Sequence, residues 1–395
     1  MQLKALARKL GIENYPDSLE EIYSSMTEDS GTLCDTEYIC ELEEKYGLLG
    51  EYTDTAILAA EKLREDKEKL LWGMLAIEYN KTITSLWEHQ IPMPKTDGSL
   101  TADMLPLLVR LAEAPEMVKR YQKRGFPEEE ILRRMKIYGG AVGVCKQIYG
   151  RPLLDTVQYN WMSHSIHAML FYHKAFDFQP AIWENNAIVL KNKKTKECVP
   201  MMIAGRFHKS GLVLGSAGCE NEDGAFSADF QETPELFVGH TVLNGYVQQK
   251  ISSLKKSEWE CIIRQGDGVL SVHIPRKTDM TPDYVTESLR EALEISRKRY
   301  PEVMPKYLVC YSWLMDSNLV NLLGEEAKIS SFTKRFLKHP LKSAGRECID
   351  YVFTGYRDAE IKDYPENTTL QRKIKNLMLD GKYIYGTAGI IVDRI

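Results

Sequence analysis

The sequence lacks the motifs that mark several common classes of protein. It has no Gly-x-Ser-x-Gly elbow and no Gly-x-x-x-x-Gly-Lys-Ser/Thr loop. Support is therefore missing for an α/β-hydrolase and for a P-loop nucleotide hydrolase. It also lacks any apolar run near the ~18 residues of a membrane helix, and its N-terminal apolar residues follow one helix face, unlike a signal peptide. We expect no membrane partner.

Excess positive charge is missing as well. The net charge is −5, and the lysine-rich segment Lys191–Lys196 is short and turn-like. Proteins whose main partner is nucleic acid usually carry a basic surface, so we expect no nucleic-acid partner. Hydrophobic residues make up 44% and charged residues 27% of the 395 positions. These values are typical of a soluble globular protein with one large domain or two domains.

A disulfide framework is not indicated either, because the cysteines are scattered and none forms a Cys-x-x-Cys pair. Several lie in apolar, strand-like segments, including Cys261 and Cys310. Such residues are typical of buried thiols in a reducing compartment. We therefore expect a cytoplasmic protein.

The first part of the chain has the periodicity of helices. Apolar residues recur at helical spacing and Gly, Pro and polar residues separate the segments. The predicted helices cover 3–10, 19–26, 30–46, 52–66, 70–87, 101–113, 115–124 and 128–149. We expect an all-helical N-terminal domain over residues 1–160.

After about residue 168 the apolar period changes towards two, which indicates strands. The predicted strands are LFYHKAFDF, AIVLKN, CVPMMIAG, SGLVLG, SEWECII, VLSVHIP, KYLVCYSW, SSFTKRF, CIDYVF and YIYGTAGIIV. Helices are expected at 282–299 and near 317–323. The sequence therefore predicts an α+β fold, with a mixed, largely antiparallel sheet and flanking helices over residues 161–395.

A strand–loop–helix segment is the feature most typical of a binding site. The Gly266–Gly268 turn leads into the apolar strand, and a loop then runs to Thr281, a favourable N-cap that precedes Pro282 at the first helical position. Exposed amides at a helix N-terminus can bind an anion such as a pyrophosphate. Arg276 and Lys277 could add positive charge. An ordinary β–loop–α connection with surface cations is the alternative.

The same segment resembles part of a known protein family. The order of elements is similar to that of a GNAT domain. The amino-acid sequence of several segments resembles a bacterial family described as acyltransferase domain-containing. Proteins of that family have a helical N-acyltransferase N-terminal region and a GNAT-like C-terminal region. The segments that carry the resemblance are Trp161–Phe178, Ser257–Trp259, Gly266–Pro275, Cys310–Asp316, Ile329–Phe336 and Thr368–Arg372. The resemblance covers most of the chain.

The resemblance implies an enzyme that transfers an acyl group from acyl-CoA, such as acetyl-CoA, directly to the amine of a small molecule, without a metal. The helical half would complete the acceptor pocket. The coenzyme would be held by Ile274, Arg276, Lys277, Thr278 and Thr281. This sequence departs from the Gln/Arg-x-x-Gly-x-Gly/Ala pattern that typical GNAT enzymes carry in the pyrophosphate loop, because the segment from Arg276 to Thr281 contains no glycine.

Acyl transfer requires a base for the amine and an acid for the leaving thiolate. By resemblance the acid would be Tyr311 or Ser312, and His273 could act as the base or as an orienting group. Each could instead have a purely structural role, as a packed ring, a turn hydroxyl or a half-buried histidine. His240 is a weaker candidate base.

Other candidates have less support from the sequence. His164 and His167 would share one helix face, but no zinc motif surrounds them, so we expect no metal site. Cys310 lies in an apolar strand without an evident activating group for a nucleophile. Two alternatives to an enzyme remain: a non-catalytic ligand-binding protein on a degenerate GNAT scaffold, and a helical half that serves as an interaction platform.

Overall fold

The computed structural model describes residues 2–26, 31–83, 90–276 and 278–392. The chain divides into two compact units, Met1–Phe171 and Tyr172–Ile395. The first is helical, and the second combines sheets with helices, which confirms the predicted α+β class. The predicted division at 160/161 falls inside the helix Thr156–Ile166. Among the described residues, none of the helices is both long enough and apolar enough to cross a membrane.

The helices of the first unit follow the predicted apolar spacing, except for the last one, which was not predicted. They are α1 (Leu3–Lys9), α2 (Ser18–Ser25), α3 (Thr36–Tyr46), α4 (Thr53–Leu63), α5 (Lys67–Thr82), α6 (Leu100–Leu111), α7 (Ala114–Lys123), α8 (Glu128–Met135), α9 (Ile137–Tyr149) and α10 (Thr156–Ile166). The apolar helix α6 is buried from Thr101 to Leu111 and forms the centre of this unit.

Two differences from the predicted helix boundaries have a local cause. Helix α3 starts at Thr36, because the Asp35 carboxylate accepts from the Tyr38 amide and caps it. The predicted helix 128–149 is divided at Lys136, where the Gly139 amide donates to Leu48 O at 2.9 Å instead of to the preceding turn. A Cβ at Gly139 would lie 2.7 Å from Leu49 O, so the close approach requires glycine. The predicted helix ends at Ser30 and Trp87 lie outside the described residues.

The second unit contains two six-stranded sheets and a small two-stranded one. Their strands are β1 (Phe171–His173), β2 (Phe176–Ile182), β3 (Ala187–Asn192), β4 (Cys198–Met202), β5 (Arg206–Phe207), β6 (Phe226–Ser227), β7 (Gln231–Glu232), β8 (Leu236–Leu243), β9 (Tyr246–Lys255), β10 (Trp259–Ile263), β11 (Gly268–His273), β12 (Tyr307–Ser312), β13 (Leu337–Pro340) and β14 (Thr387–Ile391). Its helices are α11 (Pro282–Arg299), α12 (Ser317–Leu323), α13 (Lys328–Thr333), α14 (Ile349–Val352) and α15 (Thr369–Leu379).

The first sheet has the strand order β1-β2-β11-β12-β14-β13, and the second contains β10, β3, β4, β8, β9 and β7. The two sheets share an apolar core, to which the first contributes Val269, Val309 and Ile390 and the second contributes Val189 and Met202. Helix α11 contacts β2 and β12 of the first sheet. Within this unit the first sheet is therefore packed against the second sheet and against helices.

Two predicted strands are wrong, and one prediction falls on an irregular segment. SSFTKRF and CIDYVF form the short helices α13 and α14, and SGLVLG is a turn with one isolated bridge at Val213. Apolar runs this short do not distinguish strand from helix by period alone. The hairpin β8–β9, the strand β13 and the helix α15 are also present, although the sequence analysis did not predict them.

Candidate functional site

The parallel pair β11 and β12 parts before either strand ends. Residues are paired at Val269–Tyr307, Leu270–Leu308 and Ser271–Val309, and the pairing then stops. Strand β11 nevertheless continues to His273 and β12 to Ser312. Backbone groups beyond the last pair are no longer bonded across this gap, which opens the sheet at the C-terminal ends of its parallel strands. Ligands of α/β sheets commonly bind at such ends.

One row of residues crosses the first sheet at this opening. Asp177 of β2 is paired with His273 of β11, and Tyr311 of β12 is paired with Ala388 of β14, which is also paired with His339 of β13. Paired residues share a face and alternate residues return to it, so these side chains lie on the face towards the second sheet. The row brings together two residues predicted as catalytic, His273 and Tyr311.

Tyr311 has a protonated hydroxyl group held by a neighbouring amide. Its Oη accepts a hydrogen bond of 2.7 Å from Asn185 Nδ2, and its side chain remains partly exposed. Burial of the hydroxyl raises the pKa of Tyr311 to about 12, although the Asn185 bond opposes this. Since the oxygen accepts from Asn185, the phenolic hydrogen can be donated to a different acceptor.

His273 is half-buried and is oriented by a buried glutamine. Its Nε2 lies 3.1 Å from Gln179 Oε1, which can only accept, so Nε2 carries the hydrogen. In the neutral ring the lone pair is then on Nδ1, the tautomer required of a base that uses this atom. Gln179 lies on the same face, paired with the buried Ser271.

Ser312 lies on the opposite face of the first sheet, because it follows Tyr311 directly in the strand. Its Oγ accepts from the Leu314 amide at 3.1 Å and caps the short 3₁₀ turn Trp313–Met315. The structure thus groups Tyr311 with His273 and places Ser312 apart from them.

The loop predicted to hold a pyrophosphate contains a carboxylate. Asp279 Oδ1 accepts from the Thr281 amide at 3.0 Å and from the Thr281 hydroxyl at 2.6 Å. These hydrogen bonds hold the pKa of Asp279 below its usual range. The Thr281 hydroxyl therefore donates to Asp279 and, within the described residues, makes no capping bond to α11. Thr278 Oγ1 donates to Pro275 O at 2.6 Å, and Ile274 is half-buried.

Cationic side chains surround this helix start and offset the carboxylate. Lys328 Nζ lies 3.1 Å from Thr281 Oγ1 and 3.6 Å from Asp279 Oδ1. Arg335 donates to Thr286 Oγ1 and to Pro282 O in the first turn of α11. Arg276 is exposed and donates to Asp350 O at 3.0 Å and to Thr354 Oγ1 at 3.1 Å.

These groups fit an anionic coenzyme through side-chain charge more than through glycine amides. Lys277, the other predicted cation, lies outside the described residues.

The weaker candidates are held by structural contacts. His240 is buried and its Nδ1 donates to Gln248 O at 2.9 Å. His167 bonds the Ser163 carbonyl, and burial lowers the pKa of His164 to about 4. Burial raises the pKa of Cys310 to about 12, which disfavours the thiolate of a nucleophile. In the described part of the chain, no cluster of three His, Cys, Asp or Glu side chains forms a metal site.

The sequence analysis missed several polar residues around the opening. His339 is 2% exposed, its Nε2 has no hydrogen-bond partner among the described residues, and its ring meets Trp183 edge-on at 5.6 Å. Asp316, just beyond β12, is also 2% exposed, and burial raises its pKa to about 6. Only strand pairing across distant segments brings His339 and Asn185 to this site, and no local motif signals either residue.

Two protein-family models match the chain. Residues 182–391 match the family described as GNAT-like C-terminal domain, and residues 37–168 match the N-acyltransferase N-terminal domain. No curated protein sequence matches the chain.

Solved structures with a similar fold include an acyltransferase mutant in complex with octanoyl-CoA (TM-score 0.67) and an acyltransferase in complex with decanoyl-CoA and teicoplanin (TM-score 0.65). Each is 14% identical, with 99% of both chains covered, so the likeness shows the fold alone. The longer family match spans more than half of the chain. The protein therefore belongs to the family in which an N-acyltransferase N-terminal domain is joined to a GNAT-like C-terminal domain.

Proposed function

We propose that the protein transfers an acyl group from acyl-CoA to the amine of a small molecule. The observation that carries this proposal is the opening between β11 and β12, where His273 and Tyr311 face the same side of the sheet. Family membership supports it, as do the acyl-CoA complexes of proteins with the same fold. Because those complexes contain octanoyl- and decanoyl-CoA, we propose that the donors include medium-chain acyl-CoA as well as acetyl-CoA.

The coenzyme would be held at the start of α11. The loop between β11 and α11 would contribute Arg276, Thr278, Thr281 and the backbone at Ile274 to this site. Lys277 belongs to the same predicted set. Lys328 and Arg335 add positive charge from α13 and the segment that follows it. Charge-assisted hydrogen bonds to phosphate from such side chains are among the stronger polar contacts in proteins.

Direct transfer needs a base for the amine, an acid for the leaving thiolate and donors for the tetrahedral oxyanion, and we propose His273 and Tyr311 for the first two roles. The amine nitrogen attacks the thioester carbonyl, a C–N bond forms and the C–S bond breaks. His273 Nδ1 would accept the proton lost by the amine, and Tyr311 Oη would donate its proton to the departing thiolate. No acyl-enzyme forms. Ser312 is the other proposed acid, although its Oγ lies on the opposite face.

A non-catalytic ligand-binding protein is the second candidate function. The observation that favours it is the Asp279 carboxylate, which takes the Thr281 amide that a bound phosphate would otherwise use. Such a protein would bind CoA or a related ligand without releasing thiol from acyl-CoA.

Thiol release from octanoyl-CoA and acetyl-CoA, measured with a panel of primary amines, separates these functions. We expect amine-dependent release that follows saturation kinetics in both reactants. Binding of CoA without any thiol release over the whole panel would favour the ligand-binding protein. If neither CoA nor acyl-CoA raised the thermal stability of the protein at millimolar concentration, both functions would lose their support, because a ligand that binds only the folded state must stabilise it.

A further inference from the structure

The second unit contains a cavity of about 560 Å³ whose wall includes none of the residues predicted as catalytic. Its volume is in the range of sites for small molecules, roughly 300 to 1,000 Å³. The wall contains Asn318 of α12, which follows β12, and Tyr385, which comes two residues before β14. This cavity is therefore separate from the opening between β11 and β12, and the proposed reaction assigns it no role.

Aromatic rings and leucine side chains make up the apolar part of the wall. They are Tyr246, Tyr383, Tyr385, Leu212, Leu322 and Leu377. Two glycines hold the ring of Tyr383 closely, because a Cβ at Gly218 would lie 3.0 Å from that ring and one at Gly345 would lie 2.8 Å from it. Such a wall suits a ligand with a flat apolar body, against which tyrosine rings can pack.

The loops around the cavity are joined to one another before any ligand binds. The buried Ser343 hydroxyl accepts from the Gly345 amide at 3.0 Å and from the Gly386 amide at 2.9 Å. Ser343 O accepts from the Ala217 amide at 3.0 Å. These bonds connect segments that form the wall, so that less conformational entropy is lost on binding.

The polar groups of the wall that lack an internal partner are mainly hydrogen-bond donors. Tyr385 is not one of them, because its Oη donates to Ala217 O at 2.9 Å. Within the described residues, the side chains of Lys382, Tyr383 and Asn321 make no hydrogen bond to another residue. An ammonium group only donates, and a phenol and an amide can each donate. These three side chains are therefore available to an acceptor on a ligand.

His208 adds a further donor to the wall. Its Nδ1 lies 3.2 Å from the Ser210 amide nitrogen, which can only donate, so Nδ1 accepts. In the neutral ring the hydrogen is then on Nε2. Nε2 can therefore donate to a ligand without a change in the protonation of the ring.

The formal charge of the wall is positive. Lys382 lines the cavity, and no aspartate or glutamate is among the described residues that line it. Asp316 lies behind the wall, and its two carboxylate oxygens accept from the Asn318 and Tyr385 amides. Lys338 is close enough to lower the pKa of Asp316, against the larger effect of burial. The charge of Asp316 is thus compensated inside the protein, and the cavity presents the Lys382 ammonium to a ligand.

We propose that this cavity binds a small aromatic carboxylic acid as its anion. The carboxylate has a single negative charge and only accepts hydrogen bonds, which matches Lys382 and the free donors of the wall. The aromatic ring packs against the tyrosines and leucines. The inference goes beyond the proposed function and does not depend on it, since binding at this cavity requires neither acyl-CoA nor turnover.

Calorimetric titration with indole-3-acetate tests this inference in the absence of acyl-CoA. Indole-3-acetamide keeps the ring and removes the charge, and octanoate keeps the carboxylate and removes the ring. Lys382→Gln removes the cation from the wall, and Lys362→Gln is the matched control, because Lys362 is exposed and lies outside the wall. Cys219, a buried thiol of the wall, reports where the ligand binds, through its rate of reaction with methyl methanethiosulfonate measured by mass spectrometry. Thermal unfolding confirms that both variants fold.

We expect indole-3-acetate to bind more tightly than its amide and than octanoate, and to slow the modification of Cys219. Lys382→Gln should weaken indole-3-acetate binding by about tenfold, a difference of ~1.4 kcal/mol, and leave binding of the amide unchanged, whereas Lys362→Gln should match the wild type. The inference is overturned if indole-3-acetate does not bind at millimolar concentration, if either analogue binds as tightly, if Lys382→Gln has no effect, or if bound ligand leaves the reactivity of Cys219 unchanged. None of these results bears on thiol release from acyl-CoA, so the proposed function is tested separately.

Discussion

The opening between β11 and β12 and the loop at the start of α11 differ in how much of an acyltransferase site each retains. At the opening, Tyr311 and His273 are oriented by Asn185 and Gln179. In the loop, Asp279 takes the Thr281 amide, and the glycines of the GNAT pattern are replaced. The groups suited to proton transfer are therefore organised, whereas the backbone cradle for phosphate is altered. Coenzyme affinity would then depend on side-chain cations and should be sensitive to salt.

Two aspartates, one near each region, also differ in burial and in the direction of their pKa shifts. Asp316, just beyond the end of β12, is buried and its pKa is raised to about 6, mainly by burial. Asp279, in the loop, is exposed and hydrogen bonds from Thr281 lower its pKa. A buried carboxylate next to a cavity costs stability, which proteins tolerate more often at functional sites than elsewhere. The exposed one has an ordinary surface environment.

The largest effect is expected from Tyr311→Phe. Loss of the phenolic proton donor should lower kcat by ~100-fold or more, the usual contribution of general acid catalysis, with little change in the KM for acyl-CoA. Tyr307→Phe is the matched control, because Tyr307 lies on the same strand and face. If kcat for thiol release fell equally in both variants, the opening would have no special role in the chemistry.

The next effect concerns how the free energy of unfolding depends on pH. Because the pKa of Asp316 is raised in the folded protein, from 3.8 to about 6, its contribution to stability is greatest at low pH and is lost as the pH rises through that window. The loss of stability is on the order of 3 kcal/mol. Asp316→Asn should lack it. Urea unfolding of both proteins between about pH 4 and 7 measures the difference.

The comparison with the variant is necessary because other groups titrate in the same range. Burial lowers the pKa of His339 from 6.5 to about 4. The contribution of His339 to stability is therefore lost as the pH falls through that range. This opposite slope is common to both proteins and cancels in the difference. A pH-independent difference between wild type and Asp316→Asn would contradict the assigned environment of Asp316.

The smallest effect is expected in the loop. Asp279→Asn keeps an acceptor for Thr281 but removes the negative charge beside the proposed phosphate site, and should tighten CoA binding by roughly threefold to fivefold at low salt. Glu294→Gln is the control, an exposed carboxylate further along α11. Calorimetric titration in low and high salt measures both. Equal affinity for Asp279→Asn and wild type would show that the loop does not contact the coenzyme.

Sequence alone predicted the elements whose signals are local. The strand β3 and the helices α11 and α12 were predicted at their observed positions, since turns, a favourable N-cap and apolar spacing lie within each segment. The short helices α13 and α14 were mistaken for strands, because a few apolar residues fit either period. The hairpin β8–β9 was missed, with exposed polar residues along β9 that weaken its pattern.

The candidate site was predictable only in part for the same reason. Resemblance pointed to Tyr311 and Ser312, and the alternation of residues along the strand that ends at His273 pointed to that histidine. Asn185, Gln179 and His339 reach the same region through pairing between strands far apart in the chain. The contact of Asp279 with Thr281 also depends on loop conformation, which residue types alone leave open.

Titration with CoA tests the central claim most directly, that an acyl-CoA site lies at the start of α11 beside the opened strands. Calorimetry should show saturable binding that weakens in Lys328→Gln, because Lys328 lies beside Thr281 and Asp279, and that stays unchanged in Lys382→Gln, a lysine of the separate cavity. Saturable binding weakened only by Lys382→Gln, or no heat of binding for CoA at millimolar concentration, would contradict the account.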